Sequence, residues 1–335
     1  MTIPVHAAAP SARLRPRTLK DRFLANGSVG SIALFFLFVV ALFAATTDDF
    51  LSLDNILNVL RQSAPLLIVA TAMTLVITTG GIDLSVGSIL ALTGALCAIL
   101  IHAGLPWALV TVLMLMLGGL VGAVQGFFVA YEGIPSFIVT LAGLSVIRGL
   151  ALLMTGGYSI PIPSDIAFVG LGRAWILGMP LPALVAAAVL LLGFVTFNQT
   201  PFGRYVTGIG ANAEAVRRAG VNTRRVTLLV YVLSGTLAAL AGLVLAARLG
   251  SGSSNAGQGF ELDVIAAVVL GGTSLFGGRG TMVGTILGAL TVAAIGNGLI
   301  LAHLSPFLTP IVTGSIILVA IWMNFRIFRG AGRKR

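Results

Sequence analysis

The sequence predicts an all-α integral membrane protein of about ten transmembrane helices. Three observations carry that expectation. Hydrophobic residues make up 57% of the 335 residues and charged residues 9%, with mean hydropathy +1.06. A soluble domain carries about 25% charged residues, so this chain cannot cover a water-facing surface. Apolar runs of membrane-spanning length follow one another along most of the chain. The basic residues cluster in the tails and in alternate connections. The 42 glycines suit helices that approach closely in lipid.

In chain order, the apolar runs place span 1 at 29–46, span 2 at 56–79, span 3 at 84–101 and span 4 at 107–130. Span 5 follows at 134–155 and span 6 at 180–197. After a long polar stretch come span 7 at 227–249, a short span 8 at 261–276, span 9 at 282–302 and span 10 at 307–325. Around them lie a basic arm, 1–28, and a basic tail, 326–335; the membrane unit is 29–325. An even span number puts both termini on one side.

The charges support this count. With the N-terminus in the cytoplasm, the inner segments hold Arg13, Arg15, Arg17, Lys20, Arg22, Arg204, Arg217, Arg218, Arg224, Arg225, Arg279, Arg326, Arg329, Arg333, Lys334 and Arg335, which is 16 of the 20 Lys and Arg residues. Arg61, Arg148, Arg173 and Arg248 fall elsewhere. This is the positive-inside pattern, and it explains the net charge of +10 without nucleic acid. The first apolar run is as long as a true span and ends in Thr46-Thr47-Asp48-Asp49 with no small-x-small site, so it reads as an uncleaved helix. The single cysteine, Cys97, and the scattered His6, His102 and His303 offer no disulfide framework and no metal spacing.

Two segments break the pattern. One is Thr78 to Ser88, containing Gly80-Gly81-Ile82-Asp83-Leu84-Ser85. The other is Gly271 to Thr281, containing Gly271-Gly272-Thr273-Ser274 and Gly277-Gly278-Arg279-Gly280. Irregular backbone at membrane depth survives only where protein or water satisfies it. Paired breaks also hint at two five-span halves running in opposite senses. The second break has glycines but Arg279 where a P-loop has lysine, and no G-x-x-x-x-G-K-[ST] occurs anywhere. Any ATPase is therefore another chain, and no cofactor is expected.

Several stretches in order carry a family resemblance. They are Met73-Thr74-Leu75-Val76-Ile77 leading into Gly81-Ile82-Asp83-Leu84-Ser85-Val86-Gly87-Ser88, Pro135-Ser136-Phe137-Ile138-Val139-Thr140-Leu141, Gly203-Arg204-Tyr205 with Gly210-Ala211-Asn212-Ala213-Glu214-Ala215 and Gly220-Val221-Asn222, and Gly259-Phe260-Glu261-Leu262-Asp263 running to Ser274. From about Phe50 to Asn324 the chain resembles the membrane permeases of bacterial ribose-, xylose- and arabinose-type ABC importers. The resemblance implies a pore of two permease copies, most simply a homodimer, in the bacterial inner membrane. It also implies a cytoplasmic ATP-binding-cassette ATPase and a periplasmic sugar-binding protein as partners.

It further marks candidate residues. Within the inner loop 198–226, Ala211 to Ala219 can form a two-turn helix that docks on the ATPase. Asn212 would cap it, Glu214 would suit its dipole, Arg217 and Arg218 would lie near its end, and Gly220 would stop it. Gly210 and Ala215 belong to the same motif. The alternative is a solvated, basic loop. Asp83 either caps span 3 or, with Thr79, Ser85 and Ser88, faces the sugar path; both can hold. Arg148, inside span 5, is either a snorkelling or structural charge or a contact for substrate or binding protein. Glu261 and Asp263, after Asn255, either cap span 8 or share in docking the binding protein.

The polar groups inside the spans are hydroxyls and amides, such as Thr78, Gln125, Thr140, Asn297 and Thr313. They suit a neutral, polyhydroxylated solute, because a charged one would call for opposing charge at mid-membrane. A secondary transporter or channel is the alternative reading. It needs an ion-coupling carboxylate, and Asp83 alone qualifies. A membrane enzyme would need paired carboxylates or a His cluster, which the sequence lacks.

Overall fold

The computed structural model describes residues 27–304 and, beyond them, positions 310, 311, 314, 315, 318 and 319. The basic arm, most of the expected tenth span with Thr313, and the basic tail lie outside the described residues. The helices are α1 (Gly27–Thr46), α2 (Leu53–Thr78), α3 (Val86–His102), α4 (Trp107–Ala130) and α5 (Ser136–Thr155). A short strand, β1 (Ser159–Pro161), a one-turn α6 (Gly170–Arg173) and a hairpin of β2 (Trp175–Ile176) and β3 (Met179–Pro180) follow. Then come α7 (Leu181–Gln199), α8 (Pro201–Arg218), α9 (Thr223–Leu249), β4 (Ser251–Ser253), α10 (Phe260–Leu270) and α11 (Met282–Leu301).

Seven of these, α1, α2, α4, α5, α7, α9 and α11, are long and apolar enough to cross a membrane. Expected spans 3 and 8 are the shorter α3 and α10. The sequence places span 8 out to 276, but α10 stops at Leu270 because, after the cap at Gly271, Gly272 turns left-handed (φ +94°) and breaks the helix.

Burial separates core helices from perimeter helices. In α2, 83% of the apolar window is buried, against 17% in α1 and α5. Helix α9 is the central post and packs on α2, α3 and α4. The α4–α9 contact is close because Gly118, Gly122 and Gly126 recur every fourth residue on one face of α4. A methyl group at Gly118 or Gly122 would run into the backbone of Gly235 or Tyr231. Without a hydrophobic drive between helices in lipid, such close packing is what holds them together. Met114 is buried in this region, while Met116, Leu120 and Val124 face outward, so the apolar exterior of α4 meets lipid.

At one end of the bundle β1 pairs antiparallel with β4, Ser159 opposite Ser253. This ladder lies along the second half of α3, where Gly252 packs against Gly94 and Ala95. At the opposite end lie the two glycine-rich breaks and α8. The breaks join the second membrane helix to the third and the eighth to the ninth. Their likeness therefore does not by itself relate one five-helix half to the other.

Candidate functional site

The first break is buried and held from outside itself. Residues 81–85 have no regular secondary structure between α2 and α3, and three other helices supply hydrogen bonds to them. From α5, Ser136 Oγ accepts the Ile82 N–H at 3.0 Å and Thr140 Oγ1 donates to the Ile82 carbonyl at 3.1 Å. Two of the sequence motifs thus meet in space. Asp83 is fully buried. Its Oδ1 accepts from the Ser85 N–H at 2.9 Å and the Ser85 hydroxyl at 2.6 Å, and its Oδ2 accepts from Ser234 Oγ of α9 at 2.6 Å.

Ser85 Oγ also lies 3.0 Å from Gln125 Oε1 of α4. One hydroxyl proton cannot serve two acceptors, and Gln125 Nε2 has no partner. Turning the amide over removes the conflict at Ser85, with Gln125 donating to Ser85 and Ser85 to Asp83. Ser85, not Asp83, is the residue at the N-cap position of α3, and no side chain caps that helix; Asp83 instead closes a turn onto the Ser85 N–H just before it and ties α9 to that start. Ser88, also buried, closes the first turn by donating to the Ser85 carbonyl at 2.7 Å. Sequence reasoning missed Ser234, a hydroxyl beside Gly235 that nothing in the sequence sets apart from the neighbouring Thr236.

The second break makes its own turns. The Ser274 N–H donates to the Arg279 carbonyl at 3.0 Å and the Gly277 N–H to Ser274 at 3.0 Å. Leu275 and Phe276 project from it, Phe276 being 87% exposed. Its Gly278 N–H donates to the Thr78 carbonyl at 2.9 Å, satisfying one of the orphan carbonyls at the end of α2.

Gly210 of α8 sits where the two breaks touch. A side chain there would collide with the Thr78 carbonyl and the Gly278 nitrogen. Gly277 in turn lies against Gly80 and Gly210, and Gly278 against Ala211.

Directly after this junction α8 is interrupted. Asn212 is extended (φ −165°, ψ 95°), and its Oδ1 accepts the Ala215 N–H at 2.9 Å. The expected cap is therefore in place. The helix it starts is the last piece of α8, residues 213–218, and not a free-standing helix over 211–219. It was expected to stand alone because the polar stretch before it lacks apolar periodicity. Pro201 at the first helical turn and the buried Gly203, Val206 and Ile209 make that stretch helical.

The piece is exposed and self-paired. Glu214 bonds Arg217 Nε at 2.8 Å and Arg218 Nε at 2.9 Å. Those hydrogen bonds, Arg217's first, hold the Glu214 carboxyl down to about 2. Gly220 ends the turn with φ +86°, a left-handed conformation that side-chain-bearing residues rarely adopt.

The other candidates lie at the far end. Arg148 donates to the carbonyls of Ser254 at 2.6 Å, Ala256 at 2.7 Å and Gly257 at 3.2 Å. Its charge also acts on Glu261. Arg148 thus clasps the loop between α9 and α10. In the same loop Asn255 Nδ2 reaches the Gly157 carbonyl at 3.3 Å, and Asp263 is exposed on the first turn of α10. Asn297 and Asn55 exchange two amide hydrogen bonds of 2.9 Å, pinning α11 to α2. Thr79 closes the end of α2 on the Val76 carbonyl at 2.7 Å. The six candidate path residues therefore occupy three separate places: Thr79, Asp83, Ser85 and Ser88 at the first break, Arg148 in the far-end clasp, and Asn297 between α2 and α11.

Comparison with known proteins agrees with this architecture. A family model described as "Branched-chain amino acid transport system / permease component" matches residues 55–321. The ribose import permease protein RbsC of Haemophilus influenzae is 41% identical over 286 residues, covering 84% of this chain and 88% of that one. RbsC of Bacillus subtilis is 42% identical over 294 residues, covering 88% and 91%. The xylose transport system permease protein XylH of Escherichia coli is 37% identical, covering 85% and 88%. No solved structure matches the chain significantly. The chain therefore belongs to the permease-component family that this model describes, and it resembles the ribose and xylose permeases of bacterial ABC importers.

Proposed function

We propose that this chain forms the pore of an ATP-driven importer for a small neutral sugar. Two copies make the pore, a cytoplasmic ATPase docks on residues 213–218, and a periplasmic binding protein delivers the sugar to the opposite end. The family description names amino acid systems, whereas the similar proteins named above are ribose and xylose permeases. An amino acid carries two charges, and the membrane-level polar groups described here are hydroxyls and amides apart from Asp83 and Arg148, whose hydrogen bonds are already made within the protein, and Asp263 near one helix end. That favours sugar.

The observation that carries the coupling is the junction. A displacement of 213–218 acts on Gly210, and Gly210 touches both breaks at once. The helix is anchored to protein on one side and exposed on the other, which is the form of a transmission element. Its cytoplasmic placement follows from the charge asymmetry. Asp263, exposed at the start of α10, is costly against lipid. The face of α10 that carries Asp263 is therefore the one a second copy covers, with the sugar path between the copies.

Reconstitution with the ATPase and binding protein tests this reading. Sugar uptake should require ATP and both partners, and the chain alone should hydrolyse none. Uptake driven by an ion gradient without the ATPase would overturn it in favour of a secondary transporter.

A further inference from the structure

Four basic residues depart from the inner-side pattern: Arg61, Arg148, Arg173 and Arg248. Arg148 is accounted for by three carbonyls. The other three gather at one place, at the end of the bundle opposite α8, between α2, α6 and the end of α9. Arg173 Nε donates to the Arg248 carbonyl at 3.0 Å, and Gly172 packs on the backbone of Ala247 and Arg248. Arg61, on α2, is near enough for its charge to act on Arg248. Its Nη2 holds Asn58 Oδ1 at 3.0 Å.

Among the described residues, no acidic group pairs with these three arginines within 4.0 Å; the ion pairs there are those of Glu214 with Arg217 and Arg218. Arg61 Nε and Arg248 Nη1 are buried with no hydrogen-bond partner. Buried, unpartnered N–H groups on like charges are unfavourable unless an acceptor reaches them. A guanidinium group matches the paired oxygens of a phosphate group, which it can bind with two hydrogen bonds.

A second feature indicates where that phosphate comes from. Next to Arg173 the β2–β3 hairpin presents Trp175 (50% exposed), Ile176 (47%) and Leu177 (99%) at its tip. Apolar groups led by a tryptophan, beside cations at the end of a membrane bundle, fit the boundary between headgroups and acyl chains. We propose that Arg61, Arg173 and Arg248 bind the phosphate of a phospholipid headgroup, with its acyl chains against Trp175, Ile176 and Leu177. The site rests on the membrane reading of the fold and is independent of the coupling role of α8. Under the orientation proposed above, the lipid belongs to the outer leaflet.

The test uses the full chain in detergent, titrated with phosphatidylglycerol and followed by native mass spectrometry and thermal unfolding. Phosphatidylglycerol should bind and raise the unfolding midpoint. Changing Arg61 and Arg248 together to Gln should weaken its binding by about tenfold. The corresponding Lys pair should retain most of it, and Trp175→Ala should lose part. If the Gln pair does not fold, Arg173→Gln, at an exposed position, carries the same comparison.

Diacylglycerol, which lacks the phosphate, and inorganic phosphate, which lacks the chains, should each fail to substitute. Equal protection by inorganic phosphate would overturn the proposal in favour of a small-anion site. Equal protection by diacylglycerol would leave only an apolar tip. Unchanged lipid affinity in the Gln variants, together with lost docking of the binding protein, would assign the arginines to a protein partner instead.

Discussion

The two glycine-rich breaks read alike in sequence and are built in opposite ways. In the first, Ser136 and Thr140 of α5 hold Ile82, and Ser234 of α9 holds Asp83, which also takes up the Ser85 hydroxyl inside the break. In the second, the turns close on themselves and Phe276 stands in the open. A segment satisfied by its neighbours moves only if they move, whereas a segment that satisfies itself can shift as a unit. Bistable packing of this kind is how small displacements become discrete ones. The second break reaches its neighbours through one backbone hydrogen bond, Gly278 N–H to the Thr78 carbonyl, so we take the first break as the fixed side of the junction and the second as the side that shifts, with Gly210 between them.

The largest expected effect is on the fixed side. Asp83→Ala leaves Ser85 and Ser234 without their acceptor and should cost about 1–3 kcal/mol or more of stability, read as a lowered unfolding midpoint. Ser234→Ala should cost less, since Asp83 keeps its two bonds from Ser85. If Asp83→Ala is as stable as the wild type, the first break is not held by this cluster, and the contrast between the breaks fails.

On the mobile side the expectation inverts. Phe276→Ala removes an exposed ring, so the unfolding midpoint should stay within the range of ordinary surface changes, about 0.5 kcal/mol. Transport and sugar-stimulated ATP hydrolysis should fall, because the ring is free to meet the ATPase beside 213–218. A stability loss with normal transport would make Phe276 part of the fold, not of a docking surface.

A smaller effect belongs to the helix itself. Glu214→Lys turns two ion pairs into repulsions on an exposed turn. It should leave membrane insertion intact and weaken coupling. Changing Arg217 and Arg218 to Ala should be milder, since Arg204, Arg224 and Arg225 still hold the loop inside. The smallest effect is with pH. The Glu214 pKa is depressed, so its ion pairs contribute fully above the ordinary carboxylate value near 4.5 and are lost as pH falls toward about 2. Coupling should therefore show no Glu214-dependent change between pH 6 and 8 when wild type and Glu214→Gln are compared.

Much of the fold was legible because lipid imposes a simple rule on length and polarity. Expected span 4 and α4 coincide at 107–130, and the Asn212 cap is where its side chain and spacing place it. What was not legible depends on contacts between distant segments. Nothing in the periodicity shows that Ser136 and Thr140 serve Ile82, that Arg148 closes on three carbonyls of another loop, or that β1 finds β4. The start of α8 was hidden because its glycines and polar residues break the apolar pattern while its buried face still packs. Gly220 was legible as a helix stop, whereas Gly210 carried no role beyond its place in the motif. The structure separates them: Gly210 lacks room for a side chain, whereas Gly220 has open space and needs only its left-handed backbone.

The central claim is that force passes from 213–218 to both breaks through Gly210. It is tested most directly by measuring sugar uptake and ATP hydrolysis side by side for Gly210→Ala, in proteoliposomes with the ATPase and binding protein. The added methyl meets backbone on both sides, a strain of about 1–3 kcal/mol. It wedges the junction without touching the exposed helix. The account predicts that the complex assembles and retains basal ATP hydrolysis, while uptake per ATP hydrolysed falls at least about tenfold, the factor that 1.4 kcal/mol represents. A Gly210→Ala complex that imports sugar with the wild-type uptake-to-hydrolysis ratio would contradict it.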